Sequence, residues 1–183
     1  YLRREARALD AAEERGRVMF FSERLHCAEC HAGPLLSVAF PADSARPTYA
    51  EAFRNNGLYN LERGAVVYLS GERTRYPCPS IGIGEFTQDV QDDGKFRIPS
   101  LRNVAVTGPY MHDGSLATLS DVLDHYARGG TLIEEGPSRG DGREHPAKDP
   151  LVSGFELSGA ERQDLLAFLS ALTDTRFARS DFE

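Results

Sequence analysis

Cys27-Ala28-Glu29-Cys30-His31 is the stretch around which the rest of the chain is read. Its spacing, Cys-x-x-Cys-His, is the attachment pattern for c-type haem. Two thiols about one helical turn apart can each reach one vinyl group and form a thioether, and the imidazole beside the second Cys is then carried beneath the iron. So short a pattern also arises by chance, and three other readings compete. Cys27, Cys30 and Cys78 with a His have the donors for zinc, but structural zinc sites usually show a second tight ligand pair, which this sequence lacks. A thioredoxin-like redox pair needs a strand just before it, and here a helical pattern precedes the motif. Two inert buried cysteines are the third alternative.

The flanks favour haem. From Arg4 to about Glu23 the chain reads as a helix, with Leu9, Ala12, Gly16, Met19 and Phe20 on one face. Gly16 lies on that stripe. Because a glycine inside a helix costs roughly 1 kcal/mol relative to alanine, its position predicts the close approach of another helix. A second helix begins at Thr118, with Asp121 three residues on, and carries Leu119, Val122, Leu123 and Tyr126 on one face until Gly129-Gly130 ends it. A third begins at the capping box Ser158-Gly159-Ala160-Glu161 and presents Leu165, Leu166, Phe168, Leu169 and Leu172. First and last helices of this kind, packed through a glycine, resemble the cytochrome c fold. The predicted class is therefore mainly α: a single cytochrome c-like haem domain over 1–183 with a long loop-rich insertion at about 33–106. That insertion holds six of the ten prolines, from Pro34 to Pro99. Within it a short strand is expected at Gly64–Tyr68, and Phe96–Pro99 is read as extended. Glu134 to Pro150 is polar and rich in Gly and Pro, and is read as a mobile surface loop carrying His145.

Composition narrows the function. The chain has 183 residues, 21 Lys and Arg against 28 Asp and Glu, and a net charge of −7, which disfavours non-specific binding to nucleic acid or anionic membrane. No apolar run approaches the ~18 residues of a bilayer span. Three cysteines exclude a fully paired disulfide scaffold. The polar, basic opening Tyr1-Leu2-Arg3-Arg4 reads as a mature form or a piece of a longer protein.

From Arg15 to Asp174 the sequence resembles the C-terminal haem domain of bacterial di-haem cytochrome c peroxidases and their MauG/MbnH relatives. The carrying residues are Cys27–Pro34, Phe96-Arg-Ile-Pro-Ser-Leu-Arg-Asn-Val104, Thr107-Gly-Pro-Tyr-Met-His-Asp-Gly-Ser115, Ala117–Leu119, Val122–Tyr126 and Leu165–Leu169. Phe53–Asn60 and Gly84–Gln88 look closer to the MauG/MbnH side. The resemblance implies one covalent haem c on Cys27 and Cys30, with His31 as proximal ligand. It also implies that an N-terminal haem domain, which meets peroxide in the family, is absent from this chain.

The sixth iron ligand separates the branches. Peroxidases that take electrons from a small cytochrome place a Met on the helix after the Tyr-x-His motif, whereas MauG-like enzymes place a Tyr there. Fourteen residues on from His112 stands Tyr126. Periodicity alone reads Tyr126 as a core tyrosine; the resemblance implies His31/Tyr126 ligation, with Met111 as the rival. Phenolate, a hard anionic donor, stabilises oxidised iron, whereas thioether favours reduced iron. The resemblance gives His112 a polar role in the haem surroundings. Arg102 and Arg97 are candidates to pair with haem propionates, their alternative being surface or interdomain ion pairs. His125 is expected to be exposed, His26 to pack near the haem edge, and Cys78 to be unpaired. Carbonyls matching Thr107 and Pro109 supply part of a calcium site at the domain junction of relatives.

The resemblance implies a periplasmic oxidoreductase, since covalent haem attachment in bacteria occurs outside the cytoplasm. In it this chain is the six-coordinate electron-transfer half. Its implied partners are the N-terminal haem domain of the same protein, hydrogen peroxide, and a Trp-bearing substrate protein or a small redox protein. The half alone is expected to be weakly active, because a saturated iron offers peroxide no place to bind. The alternatives are an ordinary di-haem cytochrome c peroxidase and a mono-haem electron carrier.

Overall fold

The computed structural model describes residues 9–39, 48–61, 66–67, 73–77 and 81–174. Six helices occur among them: α1 (Ala11–Phe20), α2 (Cys27–Cys30), α3 (Tyr49–Ala52), α4 (Gly84–Thr87), α5 (Leu119–Arg128) and α6 (Gly159–Ala171). Three antiparallel pairs of two-residue strands accompany them. These join β1 (Phe53–Arg54) to β4 (Phe96–Arg97), β2 (Val66–Val67) to β3 (Arg73–Thr74), and β5 (Leu132–Ile133) to β6 (Gly140–Asp141). The chain divides into two compact units, one of 1–45, 99–124 and 156–183, the other of 46–98 and 125–155.

In the first unit each long helix opens on a reciprocal cap. Asp10 and Glu13 form a capping box at α1, and Ser158 and Glu161 form another at α6. At α5 the Asp121 carboxylate takes the Thr118 amide proton at 2.9 Å, and the Thr118 hydroxyl takes that of Asp121 at 3.1 Å. Each box satisfies amides that have no partner inside the helix. The helix expected over Arg4–Glu23 thus begins at Ala11 because Asp10 caps it; residues 1–8 lie outside the described part.

Helices α1 and α6 pack together through Gly16. A Cβ there would stand 2.8 Å from that of Phe168 and closer still to the Asp164 carbonyl, so only glycine lets the backbones approach this far. Phe20 and Phe168 meet with ring centroids 5.3 Å apart, and both are buried with Leu165 and Leu169. Arg15 forks onto Asp164 with two 2.7 Å bonds at the edge of this contact. Burying such side chains stabilises by about 2 kcal/mol each, so apolar contact dominates here.

The second unit is built differently. Its apolar core (Leu58, Leu61, Tyr76, Ile81 and Ile98) shares the interior with Asn55, Asn60, Thr74, Asp92, Asp93, His125 and His145. Two sequence expectations are corrected here. Glu134–Pro150 is not an unstructured loop: it contributes to the β5–β6 hairpin, a short helical turn at Gly142–Glu144 and the buried His145. Arg128, at the end of α5, ties the hairpin down by two 2.9 Å bonds to Asp141. Likewise His125 is buried, 4% exposed, with its Nδ1 2.8 Å from the Thr131 hydroxyl. Cys78 and most of the Gly64–Tyr68 segment lie outside the described residues; Val66–Val67 is a strand, as expected. Among the described residues no helix is long and apolar enough to cross a membrane.

Candidate haem-attachment site

The motif sits just beyond α1. The helix ends at Phe20, the Ser22 amide and hydroxyl both return to the Met19 carbonyl, and buried Leu25 anchors the connection. His26 then adopts a left-handed backbone (φ 55°), which turns the chain into α2. Cys27 and Cys30 are the first and last residues of that single turn, and the His31 amide closes it on the Cys27 carbonyl at 2.9 Å. Neither Cys27 nor Cys30 is in a disulfide. Burial pushes the Cys27 thiol up to about 12, so it stays protonated, and its sulfur lies 3.6 Å from the Leu25 carbonyl.

His31 is held by the loop that follows. Its Nδ1 lies 3.1 Å from the Leu36 carbonyl. A carbonyl only accepts, so Nδ1 carries the proton and Nε2 presents a lone pair, as an iron ligand requires. Burial lowers the imidazole's affinity for a second proton, while the Leu36 and Pro99 carbonyls oppose that effect. The ring centroid is 6.5 Å from that of Phe20, which links the site to the α1–α6 core. Leu36 itself is left-handed (φ 50°), a conformation that costs an ordinary residue about 1 kcal/mol. Sequence reasoning missed this residue, because no side-chain pattern announces a main-chain acceptor.

These residues fit a covalent haem: two thiols separated by one helical turn and a neutral imidazole with its Nε2 lone pair available. Among the described residues no group of three or more His, Cys, Asp or Glu is arranged to hold a metal ion.

The other candidates fall as follows. Met111, His112, Arg102, Thr107 and Pro109 belong to the first unit, with the motif. Met111 is half-buried and left-handed (φ 70°). His112 and Arg102 are exposed, and the Arg102 amide donates to the Ser100 hydroxyl. Thr107 precedes the cis Gly108–Pro109 bond, of which Pro109 is part, and both are exposed. Arg97, exposed on β4, belongs to the second unit. So does Tyr126, half-buried near the end of α5, its ring edge-on to His125 with centroids 4.9 Å apart.

No family model matches the chain. Individual proteins do. Cytochrome-c peroxidase IdrP1 of Pseudomonas sp. strain SCT is 35% identical over 176 residues, which is 94% of this chain and 43% of that protein. Methylamine utilization protein MauG of Methylorubrum extorquens is 43% identical over 77 residues, 42% of this chain and 18% of that protein. Among solved structures, a MauG-like protein associated with microbial copper homeostasis superposes with a TM-score of 0.81 at 42% identity, over 94% of this chain and 50% of its own. The chain therefore spans half or less of the length of the relatives it matches, and it belongs to the di-haem cytochrome c peroxidase and MauG family.

Proposed function

We propose that the chain is the electron-transfer half of a periplasmic di-haem oxidoreductase that uses hydrogen peroxide to oxidise a Trp on a protein partner. Cys27 and Cys30 would hold the haem covalently, and His31 and Tyr126 would supply its iron ligands. When bound, the haem supplies one-electron redox chemistry. The chain's own residues set its character. His31 enters as a neutral imidazole with the proton on Nδ1. Tyr126 enters as a phenolate, a hard donor that favours oxidised iron. With both positions taken this half offers peroxide no vacant position, so alone it is weakly active, and the peroxide-reactive haem belongs to the other half of the protein. Thr107 and Pro109 would contribute main-chain oxygens to a calcium ion, which suits hard oxygen donors.

The observation that carries this reading is the single-turn Cys27–Cys30 helix followed by a His31 with its Nδ1 fixed on a carbonyl. The MauG-like neighbour supports it, as does the Tyr at the position after the Tyr-x-His motif. A second reading, an ordinary di-haem cytochrome c peroxidase fed by a small redox protein, is favoured by the match to IdrP1 over 94% of the chain, against 42% for MauG. Met111 then becomes the candidate ligand.

The natural full-length protein decides between them. Two covalent haems by mass, with a low-spin spectrum that changes in Tyr126→Phe and not in Met111→Leu, support the first reading, and peroxide-driven Trp oxidation is then lost in Tyr126→Phe. The reverse pattern establishes the second. One haem per polypeptide makes the protein a mono-haem carrier.

A further inference from the structure

The motif Phe96–Val104 carries part of the family resemblance, yet neither iron ligand comes from it. One of its residues reaches the haem-attachment loop. The Ser100 hydroxyl donates to the Leu35 carbonyl at 2.6 Å and accepts from the Arg102 amide at 3.2 Å, so both of its hydrogen-bonding roles are used. Its neighbour Pro99 turns its main-chain carbonyl toward the His31 ring.

The position of that bond matters. The Leu35 carbonyl belongs to the peptide plane that ends at the Leu36 nitrogen. Rotation of this plane is what sets φ at Leu36, which stands at 50°. The N–H of the same plane, that of Leu36, bonds the Gly33 carbonyl at 3.1 Å, and the N–H of the next plane, that of Ser37, bonds the Ala32 carbonyl at 2.8 Å, so Ser100 supplies the hold on the carbonyl side. The next carbonyl along, that of Leu36, takes the His31 Nδ1 proton. Two successive carbonyls are thus held by two different side chains, one of which is the proposed iron ligand.

We propose that Ser100 is a positioning residue for His31: by holding the Leu35 carbonyl it keeps Leu36 in its left-handed conformation and so fixes the carbonyl that binds Nδ1. This rests on the reading of His31 as a haem ligand. A carbonyl well placed on Nδ1–H makes Nε2 a stronger donor, and a stronger donor stabilises oxidised iron. Loosening the turn weakens that donation.

The test uses the natural full-length protein with its haems attached. Ser100→Ala is expected to move the midpoint potential of the haem on this half to a more positive value. Solvent exchange of the His31 Nδ1 proton, followed by NMR, should quicken by about tenfold, the protection given by one hydrogen bond. Ser100→Thr should keep both at the wild-type values. Ser100→Cys, a weaker donor of nearly the same volume, should shift both in the same direction by less, and serves if the alanine variant does not fold. A red protein whose potential and exchange stay unchanged in the Ala and Cys variants, even with a lowered melting temperature, reduces Ser100 to a structural turn and overturns the assignment. A protein carrying no covalent haem overturns the haem reading and this inference together.

Discussion

The two units meet the same requirement, an interior closed to water, with different materials. In the first, α1 and α6 bring Phe20, Leu165, Phe168 and Leu169 together, and the buried polar residues among those described are Ser37 and Asp164. In the second, the short strands bury too little apolar surface by themselves, and seven of the nine described buried polar residues belong there. Asn55 shows the consequence. Its side chain donates to the Asp93 carbonyl at 2.8 Å and toward His145 Nδ1 at 3.2 Å, and accepts from the Gly57 amide at 2.8 Å. An apolar contact tolerates small shifts and is indifferent to protons, whereas a buried polar network holds only while every partner stays in its protonation state. The first unit should therefore respond to changes of shape, and the second to changes of pH.

Three measurements sharpen or break that contrast. The largest effect belongs to Gly16→Val. A branched side chain there collides with the Asp164 carbonyl and Phe168. It should cost about 3 kcal/mol, seen as a fall of about 10 °C in melting temperature at pH 7. A variant that melts with the parent would mean that the α1–α6 contact does not carry the first unit.

Next comes acid. His145 is 5% exposed, accepts from the Ala147 amide at Nδ1, and has no hydrogen-bond partner for Nε2. Burial, helped by the nearby Arg75 charge, lowers its pKa to about 4. The unfolded imidazole titrates near 6.5. Below that value the unfolded chain takes up a proton that the folded chain refuses, so stability falls with pH until the folded pKa is reached. Between pH 7 and 5 this residue should remove about 2 kcal/mol, measured by urea denaturation at both values. His145→Gln should lack that share of the loss. An unchanged pH dependence would show that His145 does not carry the acid sensitivity of the second unit.

The smallest effect is that of Ser158→Ala, which removes a cap on α6 and should cost about 1 kcal/mol. Because a hydroxyl does not titrate, the cost should be equal at pH 7 and pH 5 in the same denaturation series.

The contrast also explains what could be read in advance. The cores of α1, α5 and α6, two of the capping boxes, the packing role of Gly16 and the cysteine turn are written in residues at most a few turns apart, where periodicity and spacing are informative. His125 and His145 were not legible as buried residues. What covers His145 is Asn55, ninety positions away, and a polar run such as Glu134–Pro150 looks the same locally whether solvent or a distant side chain satisfies it. Leu36 and Ser100 escaped for a related reason. The contribution of one is a main-chain oxygen, and the hydroxyl of the other meets a carbonyl sixty-five positions away.

The capping boxes set the long helices apart from the attachment turn. Asp10 with Glu13, Thr118 with Asp121 and Ser158 with Glu161 each close a helix start within four residues. These starts need nothing distant, because every partner lies in the first turn of its own helix. The single turn from Cys27 to Cys30 has no side-chain cap and leans on its flanks. The placement of the two thiols is therefore fixed by the chain on either side of the turn rather than by the turn itself.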